Sequence, residues 1–411
     1  MTVFQCDTAE QEKTLRKICD LVRGNGGFIH DDLIIGCRGV ELFVHAPDTI
    51  AANDIILSLN PKTILPLDMF TLGLDGDDII LKEHDPSLES AQIALMQEML
   101  VLYNLSGKIK DHRENATWML LLDDPELMAL LMHTSELKTQ KSVDDLAVMS
   151  ADELCLTTFI RTRQLGLKKE NVKETEKDAY HKIIMPLIDF LNHHPSAPGY
   201  VLPVDREETV LVTKSTPVAG SQECYVSYSR LDGLSSLVSY NYLEPNAPFV
   251  QSVPFSIDVA GLCAFEIKYT THAKHIELPD AIKDLAFYIP GMSVETGPLT
   301  LKIGYLYIPQ KSAPRALRRV LNLILTQVQH QLTPIQIEEF VTGVEAHVID
   351  CNLSFYNDIL AHCEHYNDDY PRIAIIKSLR IMCALQIEKI KNYPFYADSV
   401  RFKSQSHVEI A

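Results

Sequence analysis

Three short stretches concentrate the side chains that could bind or orient a small molecule. The first carries Pro186, Asp189, Asn192, His193 and His194 as P-x-x-D-x-x-N-H-H; the second carries Tyr225, Ser227 and Tyr228; the third Tyr240, Asn241 and Tyr242. Upstream stand Arg163, in Ile160-Arg-Thr-Arg163, and the turn Gly36-Cys37-Arg38-Gly39. An amide and an imidazole make directed hydrogen bonds, a guanidinium offers a planar fork of donors, and a phenol both donates and accepts. Singly, each has a plainer reading. Asn192-His193 could be a turn with a satisfied core histidine, the tyrosines strand-face packing, Arg163 a surface ion pair, and Gly36 and Gly39 an ordinary turn.

Other chemistry-bearing groups are weaker. His362-Cys363-Glu364-His365, and His181 with His193 and His194, contain metal-ligand residue types without a familiar zinc spacing. No phosphate-binding glycine loop is present, and Gly24-Asn25-Gly26-Gly27 reads as a helix stop. The single Trp118 sits in an apolar segment and reads as core.

The elements that must position these residues fall into blocks. Helical spacing of Leu15, Ile18, Cys19 and Val22 after Thr8 as a cap predicts a helix ending at the glycines. Phe28 to about Leu65 reads as short strands, and residues 85–180 as a helical insertion. Strand character returns in 200–205, 209–214 and 224–229, with a charged turn at Arg206-Glu207-Glu208. Beyond Val250, after some strand-like sequence, long helices dominate, with a solvated face suited to docking.

At 411 residues the chain calls for two or more packed units. A net charge of −18 argues against nucleic-acid binding, because phosphate recognition needs a basic surface. Nine scattered cysteines with no CxxC pair predict reduced thiols in a cytosol-like compartment. The N-terminus lacks a secretory pattern and no apolar run reaches membrane-spanning length, so a cytoplasmic, membrane-free protein is expected, with export by a signal-free route left open.

Taken in order, the three stretches resemble the SET-domain protein methyltransferases of the Rubisco large-subunit type, whose pattern is a P-x-x-D-x-x-N-H block, a G-x-x-x-x-x-S-Y block and a Y-G-F-x-x-x-N block. Gly36 to Val44, Asn53 to Leu59 and Ile160 to Arg163 resemble earlier family segments, so the likeness runs from about residue 10 to 250. It implies an α+β fold. A β-rich SET core with knot-like threading (1–84 and 181–250) would be interrupted by a helical insertion (85–180) and followed by an all-helical, substrate-binding C-terminal domain (251–411).

The resemblance implies S-adenosylmethionine as cofactor and transfer of its methyl group to a lysine of a non-histone protein, by a monomer using no metal. Tyr228 would be the catalytic tyrosine, orienting the amine and lining the methyl passage. Arg38, Gly39, Arg163, Asn192 and His193, with Tyr228, would bind the cofactor, Arg163 at its carboxylate. Asp189, Tyr200 and Tyr240 would border the substrate channel, Tyr240 opposite Tyr228.

Several positions depart from the pattern: Ser221 or Gly220 at the glycine of the tyrosine block, Ser229 after Tyr228, Asn241 in Y-G-F, Asn60 before Pro61, and His194. Two rival readings stay open: methylation of a histidine ring by the same fold, and a SET-shaped binding module without catalysis.

Overall fold

The computed structural model describes residues 2–132, 145–168, 180–201, 209–253, 255–258, 265–267, 293–294, 300–303, 306–309, 313, 315–328 and 333–397. The turn expected at Arg206-Glu207-Glu208, and parts of the expected helical and strand segments, lie outside them. The chain divides into two compact units: 1–119 with 149–230, and 120–148 with 231–411.

Among its described residues the first unit is built from short strands and four α-helices. Strand β1 (Val3–Cys6) pairs parallel to β3 (Ile34–Arg38), which forms a hairpin with β4 (Glu41–His45). Gly36 lies mid-strand because an added Cβ there would sit 2.4 Å from the carbonyl oxygen of Gln5 and 2.1 Å from the Phe43 ring. Strand β5 (Ile55–Leu59) is flanked by β2 (Phe28–Ile29) and, from far along the chain, Val210–Thr213.

Helix α1 (Ala9–Gly24) starts where expected. Thr8 and Gln11 form a reciprocal capping box, and Leu15, Ile18, Cys19 and Val22 are fully buried. α1 packs on α2 (Ser90–Leu105), which leads through Gly107 into α3 (Lys108–Asn115); α3 packs on α4 (Ala151–Arg161). His112 of α3 hydrogen-bonds Thr158 of α4 at 2.9 Å in the interior, and Trp118 is 1% exposed, as its apolar segment requires.

The second unit mixes helices and strands, which corrects the expectation of an all-helical C-terminal domain. Phe249–Gln251 pairs with Tyr307–Pro309, and Phe255–Asp258, Thr300–Ile303, Phe265–Ile267 and Ser293–Val294 form a four-stranded sheet. Strands of two to four residues carry too little alternation to be read from sequence. The helices α5 (Gly233–Tyr240), α6 (Ala316–Val328), α7 (Pro334–Cys363) and α8 (Ile373–Lys391) supply the rest, together with Leu120–Asp123 and Pro125–Leu131 from the expected insertion.

Buried polar groups fix this unit. Asp232 caps α5 through the Ser235 amide at 2.8 Å and also accepts from the Gln251 amide at 3.0 Å. Glu345, fully buried, accepts from Arg318 at 2.8 Å and Tyr393 at 2.6 Å. His362, one of the metal-ligand types noted above, bonds Asp124 at 2.7 Å, and Tyr366 donates to the same carboxylate.

Candidate functional site

Two segments separated in sequence meet in a very short ladder. Strand β6 (Asn192–His193) runs parallel to β7 (Tyr225–Val226), with Asn192 opposite Tyr225 and His193 opposite Val226. The His194 amide continues it to the Val226 carbonyl at 3.2 Å, and the Ser227 amide donates to Pro198 at 2.9 Å. That second bond brings Gly199 and Tyr200 alongside the turn before Tyr228.

The side chains lock this arrangement. The backbone amide of Tyr228 donates to His193 Nδ1 at 2.9 Å, and the two rings lie 5.3 Å apart. Because Nδ1 accepts, a neutral His193 carries its proton on Nε2. Burial, helped by the neighbouring His194, pushes the imidazole down to about 4, so it stays neutral at physiological pH. The Tyr228 hydroxyl donates to the Leu191 carbonyl at 2.7 Å, which aims the phenol along the Asp189–His193 segment.

Glu223 was not singled out from sequence, yet it organises one edge. Its carboxylate accepts from Asn192 Nδ2 at 2.7 Å and from the Tyr225 hydroxyl at 2.7 Å. Residues two apart on an extended chain share a face, so the spacing of Glu223 and Tyr225 was the available signal. With its amide nitrogen held, Asn192 is exposed and has its side-chain oxygen oriented.

A second cluster surrounds Arg163, in the turn that ends α4. Its guanidinium pairs with Asp189 at 3.1 Å and lies over the rings of Phe159 and Tyr103, 5.2 and 5.5 Å from their centres. The Tyr103 hydroxyl donates to the same carboxylate oxygen at 2.7 Å. Burial pushes the Arg163 pKa down, but Asp189, Tyr103 and Tyr228 together outweigh it and the net shift is upward. The side chain of Asp189, expected to border a channel, is 6% exposed and tied inward to Arg163, because a buried guanidinium needs a counter-charge. Arg163 Nε has no hydrogen-bond partner among the described residues.

The remaining expected residues are placed as follows. Arg38 and Gly39 form the tip of the β3–β4 hairpin. Gly39 has a left-handed φ of +53° and donates its amide to Asp7 at 2.6 Å, while Arg38 bonds Gln5 at 2.6 Å and covers Phe43. Both already serve the end of β1. Tyr200 is half-buried, which raises its pKa. Tyr240 belongs to the second unit, at the end of α5, with its ring 6.4 Å from that of Tyr242.

Two departures from the family pattern have a conformational explanation. Asn241 follows α5 with a φ of +62°, a left-handed cap for which asparagine is the usual substitute for glycine. In the tyrosine block Gly220, not Ser221, takes the left-handed turn, at +76°. The motif block itself contains a strained residue, Leu187, at +66° and fully buried.

No family model matches the chain, and no curated protein does. Among solved structures the chain is similar to the SET domain of LSMT bound to lysine and AdoHcy, with a TM-score of 0.41 and 11% identity over 96% of this chain and 92% of that one. It is similar as well to Rubisco LSMT bound to AdoMet, with a TM-score of 0.41 and 11% identity over 95% and 93%. A third is Rubisco LSMT bound to sinefungin and monomethyllysine, with a TM-score of 0.40 and 12% identity over 96% and 94%.

Proposed function

We propose that this chain is an S-adenosylmethionine-dependent methyltransferase of the SET type that modifies a lysine side chain of a non-histone protein. The observation that carries the proposal is the meeting of Asn192–His193 with Tyr228, clamped by the bond from the Tyr228 amide to His193 Nδ1. Two of the three motifs quoted from the sequence meet there.

The residues present fit the cofactor. Among the described residues Arg163 keeps an unsatisfied donor at Nε, which suits a carboxylate, and Asn192 presents an oriented amide oxygen. Neutral His193 holds the Tyr228 backbone through Nδ1 and keeps Nε2–H as a donor. When bound, S-adenosylmethionine supplies a methyl group on a sulfonium, transferred by in-line displacement.

What the protein then contributes is alignment and dryness. Tyr228, anchored at its hydroxyl and its amide, is rigid enough to orient an incoming amine. A free lysine has a pKa of about 10.4, so at pH 7.4 roughly one in a thousand is neutral; passage between rings such as Tyr228 and Tyr200 favours the neutral form. The Arg38–Gly39 tip would add backbone contacts, and Tyr240 is assigned to the channel by the resemblance alone. With it go a threaded path through the SET core, a monomer acting in the cytoplasm, and docking of the protein substrate on the C-terminal unit.

The test is titration calorimetry of the purified chain with S-adenosylmethionine, paired with labelled S-adenosylmethionine and a cell lysate. Binding plus a labelled protein whose modified residue is lysine supports the reading. A labelled histidine, or binding without turnover, would turn it toward one of the rival functions, and absence of binding refutes it.

A further inference from the structure

The cluster around Arg163 contains a residue that no motif includes. Lys108 is the first residue of α3, one turn ahead of His112 on the same helix face, and His112 meets Thr158 of α4, the helix whose end carries Arg163. Lys108 is only partly accessible, and among the described residues it makes no hydrogen bond or ion pair. The charges acting on its ammonium are Arg163 and Asp189 from across the cluster, Asp111 on its own helix and Cys37 on β3; buried Tyr103 and His112 complete the surroundings.

Asp189 is the carboxylate between Lys108 and Arg163, and it already accepts from Arg163 Nη1 and the Tyr103 hydroxyl. Among the described residues two cationic groups keep donors without a protein partner: Arg163 at its buried Nε, and Lys108 at a side chain that stays partly accessible. An unsatisfied buried donor is costly, and a folded protein that keeps one near a second cation has a use for an acceptor there.

Resting on the function proposed above, we propose that Lys108 joins Arg163 to seat the carboxylate of the cofactor's amino-acid moiety. The seat is two-sided: Arg163 contributes a planar donor fixed over Phe159 and Tyr103, and Lys108 a compact ammonium from the opposite helix. Desolvation first, and the Arg163 charge second, depress the Lys108 pKa to about 7. An anion arriving beside it would offset both effects by its charge, drawing a proton onto Lys108 as it binds.

The experiment compares S-adenosylmethionine with its decarboxylated analogue on the wild-type chain, Lys108→Met and Lys108→Arg, by calorimetry and by melting of the free proteins. Lys108→Met should weaken S-adenosylmethionine binding about tenfold while leaving the analogue within about twofold, and Lys108→Arg should restore most of the loss. The ratio of wild-type to Lys108→Met affinity should shrink as pH rises from 6 to 9, a comparison that cancels titration of the ligand's own amine. Unliganded Lys108→Met should melt at or above the wild type, since an apolar side chain replaces a buried ammonium.

Equal losses for both ligands, or none, would overturn the carboxylate seat while leaving the methyltransferase reading intact. A wild-type chain that binds neither ligand would remove both.

Discussion

Replacing Asp189 by Asn removes the counter-charge of Arg163 while keeping a side chain of the same shape that still accepts from Tyr103. Taking away one partner of a buried ion pair costs about 3–5 kcal/mol, because the other charge stays buried. The Arg163 side chain keeps 18% exposure and the tyrosine bond survives, so the lower end applies, about 3 kcal/mol. For a unit of this size each kcal/mol shifts Tm by about 2–4 °C, giving a fall of roughly 6–12 °C. Trp118 is the chain's single tryptophan and lies buried in the first unit, so its fluorescence reports the melting of that unit. Arg163→Met alone should also destabilise, whereas the double variant should recover part of the loss, with a coupling of about 2 kcal/mol. The reasoning fails if Asp189→Asn melts within about 2 °C of the wild type, or if the two changes simply add.

Other outcomes follow from the same geometry. Tyr228→Phe should lower methyl transfer while leaving cofactor affinity nearly unchanged, and equal turnover in a labelled-methyl assay would remove Tyr228 from the chemistry. Asn192→Ala, and to a smaller degree Glu223→Gln, should weaken cofactor binding, because the second frees the amide that the first deletes; calorimetry checks both. Burial holds His193 down at about 4 and His112 at about 3, so each is neutral in the folded chain and more easily protonated once unfolded. Their contribution is complete above the unfolded pKa of about 6.5 and is lost as pH falls toward 4. Trp118-monitored melting across that window should show the loss, with a shallower slope in His112→Gln.

Features set by neighbours in sequence were readable beforehand. The start of α1 was, because Thr8 and Gln11 cap it locally. The motif residues Asn192, His193 and Tyr228 were recognisable through their order, and the structure brings them together. The Arg163 cluster was not legible as a cluster. Its bonds join residues 26 and 86 positions apart, and Lys108 carries no local mark that separates it from an ordinary surface lysine. Unit boundaries were hidden for a similar reason. Leu120–Asp123 and Pro125–Leu131 look like the helices before them, and the Asp124 contacts with His362 and Tyr366 assign them elsewhere.

A ladder two residues long cannot choose its own register. Sliding β6 by a single position against β7 would turn Asn192 and His193 each to the other face, and a two-residue overlap offers little backbone resistance. What resists the slide is the imidazole gripping the Tyr228 amide and the phenol gripping Leu191. The same atoms therefore serve as alignment pins for the fold and, under the proposed function, would line the cofactor site. A descendant that gave up methyl transfer altogether would still need His193 and Tyr228 to close the chain on itself, so only turnover, never the presence of those two rings, can tell a working enzyme from a retired one.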